Sequence, residues 1–267
     1  MTDKIGHDDA THDNADLGGL DQVKESFMSH LVELRDRLIR TVIVLVVVFV
    51  ALFLYPGPSL IYDFLAQPML ASLPQGTRMI ATGVITPFMV PVKVTMLAAF
   101  ILALPFVLYQ AWAFVAPGLY KHEQKLAMPL IVSSSLLFLA GMAFCYFVVF
   151  QTVFAFIASF APQSITPAPD IEAYLNFVMT MFLAFGLTFE VPIAVVLLVR
   201  LGVVTVAKLR EIRGYVVVAA FVIAAIVTPP DVVSQFMLAV PLWVLYEVGI
   251  LFARGIKPRK PDEDSSL

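Results

Sequence analysis

The sequence predicts an all-α, polytopic integral membrane protein with six transmembrane helices. Three observations carry that reading: the composition, the uncharged runs of spanning length, and the one-sided placement of basic residues. Hydrophobic residues make up 60% of the 267 positions and charged residues only 14%, against about 25% charged in an average soluble domain, so lipid must face most of the surface. The net charge of -3 says little, because acidic residues crowd into the tails while basic ones sit between apolar runs. That distribution disfavours nucleic acid as a partner. The single cysteine, Cys145, lies inside an apolar run with no second thiol, so no disulfide framework supports the fold.

Residues 1–26 carry Asp3, Asp8, Asp9, Asp13, Asp16, Asp21 and Glu25 against Lys4 and Lys24. A secretory signal needs a basic start and an early apolar core, so this stretch is expected to be a disordered acidic cytosolic tail. Residues 27–255 form the membrane domain and 256–267 a second cytosolic tail. Val23, Phe27, Leu31, Leu34 and Leu38 recur at helical spacing with Glu25, Ser29, Glu33, Asp36 and Arg37 on other faces, which predicts an amphipathic surface helix leading into the first span. The spans are expected at 38–55, 92–116, 126–150, 174–199, 215–228 and 232–253, each judged against the 18 to 20 residues or so that a helix needs to cross the hydrocarbon. The fifth is short. Its 14 residues rise roughly 21 Å against a hydrocarbon core of about 30 Å.

Between the first two spans, Pro56, Pro58, Pro68, Pro74, Pro87 and Pro91 break an otherwise apolar stretch into short helices that would form an extracytoplasmic cap. Thr228-Pro229-Pro230-Asp231 supplies the tight turn joining the last two spans. Pro68, Phe88, Pro105 and Asp231 are assigned structural roles in turns and the cap. Orientation follows from Lys and Arg, which cytosolic loops retain. Fifteen of the 17 fall on the side of the two termini, leaving Arg78 and Lys93 on the other, so both ends are expected in the cytosol.

Glu190 lies ten residues before Arg200 and hence about 15 Å from the cytosolic edge. A carboxylate at that depth is a functional candidate by default, though a protonated or hydrated Glu bonded to a neighbouring helix fits as well. Pro192 frees backbone carbonyls beside it. Glu247, seven residues before Arg254, is nearer the interface and reads as structural. A proton pump is disfavoured, because His7, His12, His30 and His122 all fall outside the spans and Glu190 has no evident deep partner. His122-Glu123 begins like a zinc-protease motif, but Leu126 stands where the second histidine would be, so neither a metal nor another cofactor is expected. Ser133, Ser134 and Ser135 suit interhelical packing better than nucleophilic chemistry. No glycine loop of the P-loop kind is present. At the cytosolic rim, Glu33 and Arg35, with Lys121, His122 and Glu123 after Phe114 and Pro117, place carboxylates beside apolar surface. A surface Glu taken alone is nearly always a solvated one.

The segments Ser29-His30-Leu31-Val32-Glu33-Leu34-Arg35-Asp36-Arg37-Leu38 and Tyr109-Gln110-Ala111-Trp112-Ala113-Phe114-Val115-Ala116-Pro117-Gly118-Leu119-Tyr120-Lys121-His122-Glu123 carry a family resemblance. Phe185-Gly186, Phe189-Glu190-Val191-Pro192, Thr228-Pro229-Pro230-Asp231 and Glu247-Val248-Gly249 extend it over about residues 27–255. The chain resembles the TatC family of twin-arginine translocase subunits. The resemblance implies a non-enzymatic receptor in the bacterial inner membrane, reading twin-arginine signal peptides of folded proteins. It also implies an assembly core for single-span TatA and TatB partners, driven by the proton-motive force. Carried over by position, the signal-binding residues are Glu33 and Glu123, with Arg35, Phe114 and Lys121 nearby, and the partner-binding ones are Thr228 and Gln235. Glu190 and Glu247 become the intramembrane polar positions. Two other functions compete. A secondary transporter using Glu190 would have two related halves, which the span lengths do not show, and an intramembrane hydrolase lacks a nucleophile and a base.

Overall fold

The computed structural model describes residues 9–74, 77–115, 124–160, 162 and 167–255. Lys121 and Glu123 therefore lie outside the described residues, as do 1–8 and 256–267. The described chain is helical: α1 (Asp9–Leu54), α2 (Pro58–Ser72), α3 (Thr86–Val115), α4 (Gln124–Phe144), α5 (Phe150–Phe160), α6 (Ile171–Arg200), α7 (Val206–Glu211), α8 (Arg213–Val227) and α9 (Val232–Ala253). A π-helical turn, Cys145–Val149, joins α4 to α5. Ile80 and Asp170 form an isolated parallel β-bridge.

Five helical segments are long and apolar enough to cross a membrane: Leu31–Leu54, Thr86–Phe114, Met128–Phe160, Ile171–Arg200 and Val232–Ala253. The remaining apolar helix, α8, has 15 residues and a length of about 22 Å. Several expected boundaries are corrected. Residues 9–26, expected to be disordered, continue the helix of the first span, and no proline between Asp9 and Leu54 interrupts it. The amphipathic segment and the first span are thus one rod. The third span runs ten residues past its expected end, to Phe160, because Phe150, Val153 and Phe154 supply one more buried face beyond Gln151 and Thr152. The second begins at Thr86 instead of 92, which takes Pro87, Phe88 and Pro91 out of the cap and into α3. Proline is tolerated in a first helical turn, where its missing N–H has no intrahelical acceptor to serve. Pro105 also lies in the interior of α3, not at a turn.

One hydrophobic core joins α2, α3, α4, α5, α6, α8 and α9, with Leu104, Phe150, Leu175, Met181, Phe185 and Leu238 fully buried. A second cluster at the other end of α6 collects Val195, Val199, Leu209, Tyr246, Ile250 and Ala253. Close approach depends on missing side chains at two points. A Cβ on Gly186 of α6 would overlap the Phe138 ring of α4, and one on Gly249 of α9 would stand 3.0 Å from the Pro192 Cα. By contrast, α1 packs along α3 and none of its described residues is buried.

The cap helix α2 is bolted down through its backbone. Pro68 has no N–H to offer the Phe64 carbonyl one turn earlier. The Tyr146 hydroxyl donates to that carbonyl at 2.7 Å, and the Tyr174 hydroxyl donates to the neighbouring Leu65 carbonyl, also at 2.7 Å. Pro68 is therefore a buried residue of the α2 interior, and the Phe64 carbonyl it leaves vacant is met by a tyrosine.

The start of α6 is tied to the start of α3. Asp170 caps α6 by accepting from the backbone N–H groups of Glu172 and Ala173, and it also accepts from the Thr82 hydroxyl at 2.8 Å and the Thr82 N–H. These bonds, led by the one from Ala173, hold its carboxyl below the usual carboxylate range. Lys93 of α3 pairs with Glu172 at 2.8 Å, which explains how α6 begins three residues earlier than its uncharged run. At the opposite end, Arg213 of α8 pairs with Glu247 of α9 at 2.6 Å, and the Tyr246 hydroxyl donates to the Leu209 carbonyl.

Candidate functional site

Glu33 and Arg37 are four residues apart on α1, the spacing and order at which an acidic and a basic side chain meet on a helix. The Arg37 guanidinium donates twice to Glu33 Oε1, from Nη2 at 2.6 Å and Nε at 3.0 Å. Its third contact, Nη1 to Gln110 Oε1 at 3.2 Å, reaches across to α3, where Gln110 is buried. These side chains line a polar crevice of about 460 Å3 together with Val32, Asp36, Arg40 and Tyr109. Glu33 uses one oxygen for Arg37. Its side chain remains 41% exposed and lines the crevice, and no hydrogen bond to its second oxygen is seen among the described residues.

Arg35 does not join this group. It is exposed and pairs with its neighbour Asp36 at 3.0 Å. Phe114 lies one turn beyond Gln110 on α3 and is partly buried, which sets an aromatic ring near the same end of the helix pair. Lys121 and Glu123 fall outside the described residues. The structure thus adds two participants, Arg37 and Gln110. The first was legible as the i+4 neighbour of Glu33, whereas 73 residues separate Arg37 from Gln110 and no local pattern links them.

A second polar centre lies inside the bundle. Ser134 of α4 donates its hydroxyl proton to Glu190 Oε2 of α6 and accepts from the Trp112 indole N–H of α3 at 3.0 Å. Three helices thereby meet at one hydroxyl. Glu190 thus bonds a neighbouring helix, one of the two readings the sequence left open, while its Oε1 is buried without a partner. Ser133 and Ser135 instead bond back to the Leu130 and Ile131 carbonyls of their own helix. Ser134 alone of the three makes the expected interhelical bond. Pro192 follows Glu190 by two residues and is where Gly249 lets α9 approach.

At the hairpin between α8 and α9, the buried Thr228 hydroxyl donates to the Ala224 carbonyl at 2.8 Å. Gln235 Nε2 donates to the Phe221 carbonyl at 3.3 Å. Asp231 caps α9 by accepting from the Ser234 N–H at 2.7 Å. Phe221 and Phe236 meet edge to face below this turn, with ring centres 5.1 Å apart. Glu247, expected near the interface, forms the ion pair with Arg213. Among the described residues, no group of three or more His, Cys, Asp or Glu side chains is placed to hold a metal ion.

The chain is similar to known proteins of one family. The family model described as "Sec-independent protein translocase protein (TatC)" matches residues 29–241. The Sec-independent protein translocase protein TatC of Azotobacter chroococcum is 51% identical over 233 residues, covering 87% of this chain and 91% of that protein. The protein of the same name from Escherichia coli K12 is 49% identical over 230 residues, covering 86% and 88%. Among solved structures, the crystal structure of the twin arginine translocase receptor TatC superposes with a TM-score of 0.73 at 36% identity, covering 84% of this chain and 98% of that one.

Proposed function

This chain belongs to the TatC family of Sec-independent protein translocases, translocase components rather than enzymes, and we propose that its own task is to capture twin-arginine signal peptides. One observation carries the proposal: Glu33 sits in an open polar crevice between α1 and α3 and already holds a guanidinium. A carboxylate matches the forked N–H donors of arginine and not the point charge of lysine, so it discriminates between equally charged peptides. Glu123, Lys121, Arg35 and Phe114 complete the proposed site.

Positive charge supports an orientation with this crevice and both termini in the cytosol, since fifteen of the 17 Lys and Arg fall on that side. The membrane domain spans residues 27–255, set in the bacterial inner membrane. An apolar groove of about 750 Å3 between α1, α3, α4 and α6, lined by Val46, Phe49, Phe100, Met142 and Leu183, begins at Val42. That is nine residues from Glu33, or about 14 Å along the helix. It suits the apolar stretch that follows the arginine pair of a signal. TatA- and TatB-type partners would assemble at α8 and α9 around Thr228 and Gln235, and the short α8 would thin the bilayer there. Glu190, bonded through Ser134 to Trp112, fits a fixed polar post in the bundle and not a solute site.

The test is crosslinking of Arg-Arg and Lys-Lys signal peptides to the Glu33→Gln/Glu123→Gln double variant in membranes with its partners. Loss of Arg-Arg capture and of the difference between the two peptides is expected. Unchanged Arg-Arg capture would remove these carboxylates from the site.

A further inference from the structure

The contact between Arg37 and Glu33 has the chemistry of the ligand that the crevice is proposed to bind. Arg37 places two N–H groups on Glu33 Oε1 and anchors its remaining arm on the buried Gln110. An incoming guanidinium that pairs fork to fork needs both carboxylate oxygens in one plane, and Oε1 is taken. We propose that Arg37 is an internal competitor, a resident stand-in for the signal's arginine that must leave Glu33 before the signal binds and that returns as the signal departs. The proposal rests on the receptor reading above.

Three features of the geometry favour exchange. The pair lies at the rim, with side-chain exposures of 23% for Arg37 and 41% for Glu33, so water can cover either group during the swap. Gln110 offers Arg37 an acceptor that does not depend on Glu33, so the displaced guanidinium keeps one bond. The crevice also has room, at about 460 Å3, for a second guanidinium beside the first. A competitor lowers the apparent affinity by the fraction of time that it holds the site. Such a reduction suits a receptor that must release each cargo. Lysine needs only one oxygen and can use Oε2 with Arg37 in place, so the competitor acts against arginine pairs more than against lysine pairs.

The experiment measures crosslinking and dissociation of Arg-Arg and Lys-Lys signal peptides in membranes holding the full chain and its partners, normalised to the amount of chain. Arg37→Gln should raise Arg-Arg capture by several-fold to about tenfold and slow its dissociation, with a smaller gain for Lys-Lys. Gln110→Met, which removes only the anchor, should shift capture in the same direction by less, and it serves if Arg37→Gln accumulates poorly. Lys208→Gln removes a basic charge from an exposed pair on α7, outside the crevice, and should do little. A fall in Arg-Arg capture in Arg37→Gln would make Arg37 an orienting residue and overturn the proposal. An equal rise in Lys208→Gln, or an equal gain for Lys-Lys, would reduce the effect to net charge and overturn it too. The two readings fail separately. Arg-Arg capture that survives Glu33→Gln defeats the receptor site itself, whereas a gain from Arg37→Gln that persists in the Glu33→Gln background defeats the competitor alone.

Discussion

Two carboxylates, Glu33 and Glu190, face opposite demands. Glu33 lies at the end of the bundle, exposed and paired with a charged guanidinium through one oxygen. Glu190 lies inside it, held by the Ser134 hydroxyl and with one oxygen unmet. Exchange of partners costs little where water can stand in and much where it cannot, because a buried polar group left alone bears its full desolvation penalty. The rim carboxylate is therefore suited to binding something that comes and goes. The deep one is suited to holding α3, α4 and α6 in register.

The largest expected effect on folding comes from breaking the deep centre. Ser134→Ala strands Glu190 and leaves the Trp112 N–H without its acceptor, and should cost about 2 kcal/mol, read as a lowered unfolding midpoint in detergent. Glu190→Gln keeps an acceptor for Ser134 and should cost less than half as much. The cap comes next. Tyr146→Phe removes the donor that meets the carbonyl vacated by Pro68 and should cost about 1 kcal/mol. Tyr174→Phe should cost less, because Leu65 retains its ordinary helical donor, the N–H of Met69. Glu33→Gln should change stability by less than about 0.5 kcal/mol, as expected for a half-buried pair that water still reaches. A larger loss would mean that the rim pair is structural and the contrast false.

The smallest effect concerns pH. Hydrogen bonds hold the Asp170 carboxyl below its ordinary value, so its contribution is present above the ordinary aspartate range and is lost as pH falls through the lowered folded value. Asp170→Asn should flatten the acid limb of a stability profile taken below about pH 4, and an unaltered limb would show that the cap is not a source of pH sensitivity.

What could be read from sequence follows the range of the interactions. Uncharged runs located the five apolar spans and the shorter sixth helix, since the cost of a charge in lipid is local and leaves its mark residue by residue. The ends were harder. Glu172 stopped the expected fourth span, yet its pairing with Lys93 makes it acceptable inside a helix, and Gln151 and Thr152 hid one more apolar face. In the site, the four-residue spacing of Glu33 and Arg37 was available to inspection. Gln110 and the Ser134 partner of Glu190 were not, being 73 and 56 residues away along the chain. Pro68 illustrates both cases: its lost donor is a local fact, while the tyrosine that answers the Phe64 carbonyl comes from 82 residues beyond Phe64.

The division of labour between the two carboxylates is tested most directly by capturing an Arg-Arg signal peptide with Glu33→Gln and Glu190→Gln chains side by side in the same membranes. A loss of about tenfold or more is expected for Glu33→Gln, with capture by Glu190→Gln staying within about twofold once normalised to folded protein. Full capture by Glu33→Gln, or a comparable loss in Glu190→Gln, would contradict the placement of recognition at the rim.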